Sequence, residues 1–226
     1  MKRRPDGPPD TRMVGVVNDA FRRDVARLQT ALAAAPPLPA APRETVVEHC
    51  VWLMRLVTDF HAGVDAGLYP LVRAKNPYAG DLLDAMVAQH REIAPRAAAV
   101  VAAAEQWTND AAVTAQRALA TAFDTLADVL LPHLHVVEVE LMPVVIASLT
   151  ERERRSWDRA CMLDPRSKAE MAEAGNWLLD DLDEERREVT LNTISRWERL
   201  VMVRVYERRH RRAQQRNGVR PIEAEF

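Results

Sequence analysis

Two stretches of similar pattern decide the fold: FHAGVDAGLYP at residues 60–70 and HLHVVEVELMP at residues 133–143. In each stretch a histidine precedes a carboxylate, and a proline closes the stretch. His61 and Asp65 are four residues apart, a spacing that places two side chains on the same face of a helix. Histidine and carboxylate side chains on one helix face can bind a metal in the core of a helical bundle. The two stretches therefore predict two bundle helices that carry inward-facing polar groups.

Apolar residues recur at helical spacing on either side of these stretches. They predict helices over about residues 11–35, 44–68, 81–106 and 111–148. The proline-rich segment PPLPAAPRE at 36–44 is expected to end the first helix and form a loop before the second. Asp81 is expected to be the N-cap of the third helix. Four amphipathic helices of this length, joined by shorter loops, predict an all-α fold, specifically an up-down-up-down four-helix bundle.

Further helices are predicted beyond the bundle. Thr150 and Glu153 form the pattern of a capping box, which is expected to open a fifth helix. A short helix over 167–179 and a long helix over about 182–214 complete the chain. The predicted organisation is a disordered, proline-rich N-terminus at 1–10, a bundle at 11–148 and a helical C-terminal extension at 149–226.

Composition excludes several classes of partner. A formal net charge of −2 gives the 226-residue chain no general attraction to nucleic acid or to an anionic membrane. No apolar run was found that approaches the roughly 18 to 20 residues needed to cross a bilayer. Cys50 and Cys161 lack the spacing of a zinc site or a disulfide framework, which favours a reducing compartment. We therefore expect a cytoplasmic protein with no nucleic-acid or membrane partner, in an oligomeric state that the sequence leaves open.

The paired stretches resemble the hemerythrin-like, or HHE cation-binding, family, whose consensus is roughly H-x-x-x-E-[ED]-x-x-L-[FWY]-P, occurring twice. That family also supplies one histidine from its first helix and another from its third. The segment NWLLDDLDEERRE at 176–188, with the long helix after it, is similar to the C-terminal extension of actinobacterial members. The resemblance covers about residues 11–212 and implies a helical bundle around a two-iron site.

The departures from the family pattern fall on the metal ligands. When each stretch is aligned on its proline, the resemblance assigns six ligand positions, and only two of them keep a histidine. The six positions are occupied by Asn18, Phe60, Val64, His90, His133 and Val137. Valine at 64 and 137 cannot bind a hard cation or offset its charge. The sequence therefore predicts that a standard two-iron centre is not formed.

Neighbouring residues offer a displaced site. His61, Asp65 and Glu138 each follow a lost ligand position by one residue, and a rotation of about 100° per residue would turn them toward the bundle seam. Pro132, beside His133, favours a local rearrangement of the helix. The candidate metal ligands are His61, Asp65, His90, His133 and Glu138. The residues expected to line a cofactor or ligand pocket are Asn18, Phe60, Val64 and Val137.

Three functional hypotheses remain open at this stage. In the first, an altered single-iron site or a haem handles oxygen, peroxide or nitrogen oxides, as the family implies. In the second, a metal-independent enzyme binds an apolar organic substrate in the emptied cavity, with His90 or His133 as general acid or base. In the third, the protein has no cofactor and serves as a non-catalytic interaction module, with core histidines left over from an ancestral site.

Overall fold

The computed structural model describes residues 4–34 and 38–193, and the regular elements within those ranges are all helical. The prediction of an all-α fold is therefore confirmed. The α-helices are α1 (Arg12–Leu32), α2 (Ala40–Gly63), α3 (Tyr69–Lys75), α4 (Gly80–Asn109), α5 (Val113–Val136), α6 (Met142–Ser148), α7 (Glu151–Trp157), α8 (Lys168–Leu179) and α9 (Glu184–Thr193). The same ranges contain three π-helical segments. Two of them, π1 (Val64–Leu68) and π2 (Val137–Leu141), each join two α-helices, and π3 (Asp158–Leu163) follows α7.

The segments π1 and π2 lie inside two long helices, over residues 40–75 and 113–148. Each is followed, two residues later, by a proline: Pro70 after π1 and Pro143 after π2. Proline lacks an N–H and its ring crowds the carbonyl four residues earlier, so a regular α-turn is disfavoured there. The residue before each proline instead donates its N–H five residues back, from Tyr69 to the Val64 carbonyl and from Met142 to the Val137 carbonyl. Each π segment therefore places one extra residue in its turn.

The apolar core lies among α1, α2, α4 and α5, which pack against one another. Their buried faces follow from the helical spacing of apolar residues in the sequence, with one stripe per helix. The largest fully buried side chains of this core include Leu53, Met54, Ile93, Trp107, Leu119, Phe123, Leu126 and Leu130. The direction of each helix in the predicted up-down-up-down order stays a prediction.

Helix boundaries differ from the predicted ones where proline occurs. The second helix begins at Ala40 rather than Glu44, because Pro42 falls in the first turn, where its missing N–H removes no helical bond. Asp81 lies in the first turn of α4 and is not its cap. Pro132 stays within α5, and the departure from α-geometry begins only at Val137. The capping box of Thr150 and Glu153 at the start of α7 is confirmed.

Residues 4–10, for which disorder is predicted from the sequence, contact the start of α7. The backbone N–H groups of Glu151 and Arg152 donate to the carbonyls of Gly7 and Pro5, over 2.9 and 2.8 Å. The Asp10 N–H donates in return to the Glu151 carboxylate, over 2.8 Å. The first N–H groups of a helix have no partner within it. The N-terminal segment therefore supplies acceptors to α7, and residues 1–3 lie outside the described residues.

Within the described part of the chain, one helix, Val113–Ser148, is long and apolar enough to cross a membrane by length and composition. The expectation that no such run exists is therefore wrong for this helix. A single helix of this kind is a weak indication of a membrane span, since a core helix of a soluble protein meets the same criterion. Leu119, Phe123, Leu126 and Leu130 of this helix lie in the protein core.

The chain divides into two compact units, between Pro165 and Arg166. The first unit holds α1 to α7 and the second holds α8 and α9. The predicted boundary between residues 148 and 149 stays a prediction. Of the long helix predicted over 182–214, Glu184–Thr193 is helical and the remainder lies outside the described residues.

Candidate metal centre

Three histidines from three helices converge in the bundle: His61 of α2, His90 of α4 and His133 of α5. One ring nitrogen of each lies within 4.8 Å of the others. The rings of His61 and His90 stack with centroids 4.0 Å apart and an interplanar angle of 8°. His133 meets both rings edge-on, at 5.0 and 4.9 Å. His90 and His133 are buried and His61 is partly exposed, so the cluster reaches the surface on the His61 side.

Two neighbouring side chains determine which ring nitrogens can bind a ligand. His90 Nδ1 lies 2.8 Å from Asp65 Oδ1, and His133 Nδ1 lies 2.9 Å from Gln89 Oε1. Both oxygens are acceptors, so each Nδ1 carries the hydrogen and each Nε2 keeps a lone pair. Among the described residues no side chain hydrogen-bonds the His61 ring. A metal-binding histidine commonly donates its second ring N–H to a carboxylate or carbonyl oxygen in this way.

The electrostatics of the cluster keep the imidazoles neutral. Burial, reinforced by the repulsion of the neighbouring histidines, lowers the pKa of His61 to about 2 and that of His133 to about 3. Burial also lowers the pKa of His90, although the Asp65 carboxylate partly offsets it. Neutral imidazole is the form that binds a metal, because protonation occupies the lone pair. Each imidazole can therefore offer a lone pair without first losing a proton.

These pKa shifts predict that the metal-free protein loses stability in mild acid. In the unfolded chain His61 and His133 bind protons below about pH 6.5, whereas in the folded chain they stay neutral down to about pH 3. The free energy of unfolding should therefore fall by about 2 kcal/mol between pH 7 and pH 5.5. Urea denaturation at the two pH values measures this difference. His133→Gln should show a smaller fall in the free energy of unfolding over the same pH range, and an equal fall in the variant would contradict the assignment.

Asp65 and Glu138 hold equivalent positions in the two stretches, but their carboxylates go to different places. Asp65 contacts His90, as above. Glu138 pairs with Arg22 of α1, whose Nη1 and Nη2 donate over 2.8 and 3.0 Å, and it also accepts from Asn18 Nδ2 over 2.9 Å. Burial alone would raise the pKa of Glu138, but the hydrogen bonds from Arg22 and Asn18 lower it. The structure therefore does not bring the predicted ligand Glu138 to the histidines.

Asn18 makes a structural contact with α5, and its predicted place in the lining of a ligand pocket stays a prediction. Its side-chain N–H group also donates to the Leu134 carbonyl, over 3.1 Å, one turn before π2. The amide thus links α1 to α5 at the place where the helix widens. Asn18 is 2% exposed, and its position near α5 is set by these two bonds.

Apolar side chains occupy the positions where the family pattern has carboxylates. Val64 and Val137 are buried in one apolar cluster with Leu68 and Leu141. Phe60 packs against the same cluster and is partly exposed. The role of Phe60, Val64 and Val137 in lining a ligand pocket stays a prediction.

Sequence reasoning missed two residues of the site and one pair outside it. The missed residues are Tyr69, whose ring stacks on His90 with centroids 5.8 Å apart, and Gln89, which orients His133. The sequence does hold a signal for Tyr69, because it directly precedes Pro70. That proline favours a π-turn, which changes the direction of the residue before it. Gln89 gives no signal in the sequence. The pair outside the site joins His49 Nε2 to Asp24 Oδ2 over 2.7 Å.

The comparison with known families identifies the protein class. The sequence-family model of the hemerythrin HHE cation-binding domain matches residues 12–145. This match covers more than half of the chain, and the chain belongs to that family. No individual curated protein and no solved structure matches the chain. The family is one of metal-binding helical proteins, and the three histidines could form such a site.

The side chains present fit one cation and do not fit a two-iron centre. A second metal would lack the carboxylates that Val64 and Val137 replace, and Glu138 is bound to Arg22. A single ion held by three imidazoles, with metal–nitrogen distances near 2.1 Å, brings their nitrogens roughly 3.4 Å apart. The separations here, at most 4.8 Å, must shorten by about 1.4 Å or less. The stacked rings of His61 and His90 lie at only 8° to one another, so one of them must also tilt to direct its in-plane lone pair at the same ion. His61, which is partly exposed and has no side-chain hydrogen bond among the described residues, is free to make that adjustment.

Proposed function

We propose that this hemerythrin-family protein binds one divalent transition-metal ion through His61, His90 and His133, and handles a small oxygen or nitrogen species at that ion. The observation that carries the proposal is the convergence of three neutral imidazoles from three helices within 4.8 Å. Imidazole suits iron, copper and zinc, and a site with three protein ligands leaves a position for a small molecule. Iron is the metal that the family resemblance favours.

The surrounding residues of the chain support such a site without binding the ion. Asp65 holds the hydrogen on His90 Nδ1 and Gln89 holds it on His133 Nδ1, which directs each Nε2 to the ion. Val64 and Val137 are buried in the apolar cluster, and we propose that they exclude water from the ion. When bound, the ion would supply Lewis-acid or electron-transfer chemistry to the small molecule.

The contacts of the three rings favour a compact ion over a haem. His61 and His90 stack at 4.0 Å and His133 touches both edges, so a macrocycle would first have to separate them. A half-open pocket of about 390 Å³ lies elsewhere along α5, and its lining includes Leu32, Gln116 and Thr121. Gln116 is about 25 Å along α5 from His133, and none of the residues lining that cavity is a histidine.

The proposed location is the cytoplasm, and the proposed partner is a small molecule rather than a nucleic acid or a membrane. Cys50 and Cys161 carry free thiols, which a reducing compartment maintains. Burial raises the pKa of Cys50 to about 12, which keeps that thiol protonated and unreactive at neutral pH.

Metal uptake by the full chain tests the function directly. The protein is purified without a chelator or a histidine tag, incubated separately with Fe(II), Co(II) and Zn(II), and freed of excess metal by gel filtration. Elemental analysis should find one ion per chain, and the Co(II) form should absorb in the visible region. A folded protein that retains no metal at micromolar concentrations would contradict the proposal and would favour the metal-independent hypothesis.

A further inference from the structure

Tyr69 is a buried tyrosine that packs directly on the histidine cluster. It follows π1, on the same long helix as His61 and Asp65. Its ring lies nearly parallel to that of His90, with an interplanar angle of 16° and centroids 5.8 Å apart. The side chain is 3% exposed. His90 therefore stacks with two rings of one long helix, His61 and Tyr69.

The Tyr69 hydroxyl is buried without a hydrogen-bond partner among the described residues. A buried hydroxyl that makes no hydrogen bond destabilises a protein, because folding removes it from water without replacement. Burial, together with the nearby Asp65 carboxylate, raises the pKa of Tyr69, so the phenol keeps its hydrogen at neutral pH. The Tyr69 hydroxyl is thus a hydrogen-bond donor that lacks an acceptor among the described residues, near the Asp65–His90 pair.

We propose that the Tyr69 hydroxyl donates a hydrogen bond to the small ligand that enters the histidine cluster, and so selects ligands that accept hydrogen bonds. The proposal rests on the metal site described under the proposed function. A phenylalanine would fill the same apolar space without the unmatched hydroxyl, so the hydroxyl is the part of Tyr69 that packing does not explain. The ligand class is a small anion or oxygen species with a lone pair facing the donor, such as azide, peroxide or superoxide. Neutral ligands that are poor acceptors should gain nothing from Tyr69.

The test compares Tyr69→Phe with the wild type and with Tyr78→Phe, the same change at a tyrosine that is 98% exposed. Azide is titrated into the Co(II)-loaded full chain and binding is followed by visible absorption. Tyr69→Phe should weaken azide binding about tenfold, as expected for one hydrogen bond to a charged acceptor. Tyr78→Phe should leave azide binding unchanged, and both variants should bind Co(II) as the wild type does.

Thermal unfolding of the metal-free protein gives a second readout, independent of the loaded site. Tyr69→Phe should unfold at the same temperature as the wild type or higher, because it removes an unmatched hydroxyl. A clear fall in that temperature would show that the hydroxyl has a structural partner and would overturn the proposal, as would unchanged azide affinity in a variant that binds Co(II) normally. If the wild type takes up no Co(II), the proposed metal site fails and this inference fails with it.

Discussion

Replacing His133 by glutamine is expected to lower the affinity for the metal more than about 100-fold, with His61→Gln and His90→Gln behaving alike. Loss of a residue that merely orients a metal ligand typically costs 10- to 100-fold in affinity, and loss of one ligand of three should cost more. Glutamine keeps most of the volume and a polar end, so the core is not emptied. Competition with a chromophoric chelator measures the change.

His135→Gln is the matched control, because His135 lies two residues from His133 on the same helix but is exposed. It should bind metal as the wild type does. Asp65→Asn should have an intermediate effect, 10- to 100-fold, because it removes the charge that orients His90 but leaves all three imidazoles in place. If His133→Gln and His135→Gln bind metal equally well, the three-histidine site is wrong.

Gly67→Ala is expected to lower the free energy of unfolding by about 1–3 kcal/mol, as over-packing of a well-filled core does. A methyl group at Gly67 would lie 2.6 Å from Trp157 Cδ1 and 2.8 Å from Cys161 Sγ. Trp157 cannot easily move aside, because its indole N–H donates to the Gly63 carbonyl over 3.1 Å. Chemical denaturation measures the loss.

Gly15→Ala in α1 is the control for this substitution, since a methyl group there meets nothing within 4 Å. Alanine is favoured over glycine within a helix, so Gly15→Ala should raise stability by about 0.5–1 kcal/mol. The two changes are chemically identical and are expected to have opposite signs. Equal effects would mean that the segment from Trp157 to Met162 does not pack tightly on π1.

Much of the fold follows from the sequence, because helical spacing is a local property. The all-α class and the capping box at Thr150 can be predicted because each depends on residues within a few positions of one another. The contacts of the N-terminal segment cannot be predicted in this way, because its partners Glu151 and Arg152 lie more than 140 residues away in the sequence. The π segments were missed because their apolar pattern also fits a continuous α-helix.

The residues of the site also differ in whether local sequence is enough to predict them. His61 and Asp65 could be singled out from their spacing, and His90 and His133 from the family pattern. The different contacts of Asp65 and Glu138 could not be predicted, because Glu138 pairs with Arg22, which lies 116 residues earlier in the chain. Residues that hold the histidines, such as Gln89, are recognised only when the helices are packed together.

The extra residue in π1 has a consequence for how this site can change by insertion and deletion. In a regular α-helix His61 and Tyr69, eight positions apart, would differ in direction by about 80°. One additional residue in the turn reduces that difference to about 20°, so both rings face α4 and stack with His90. Deleting a single residue from Val64–Leu68 would leave the histidine and the tyrosine seven positions apart in a regular helix. That spacing again gives a difference in direction of about 20°, so the two rings should stay on the same side of the helix. Straightening π1 at its present length would instead turn Tyr69 by about 100° relative to His61 and separate the two rings. The site should therefore tolerate the loss of one residue from π1 better than a substitution that converts π1 into a regular α-turn.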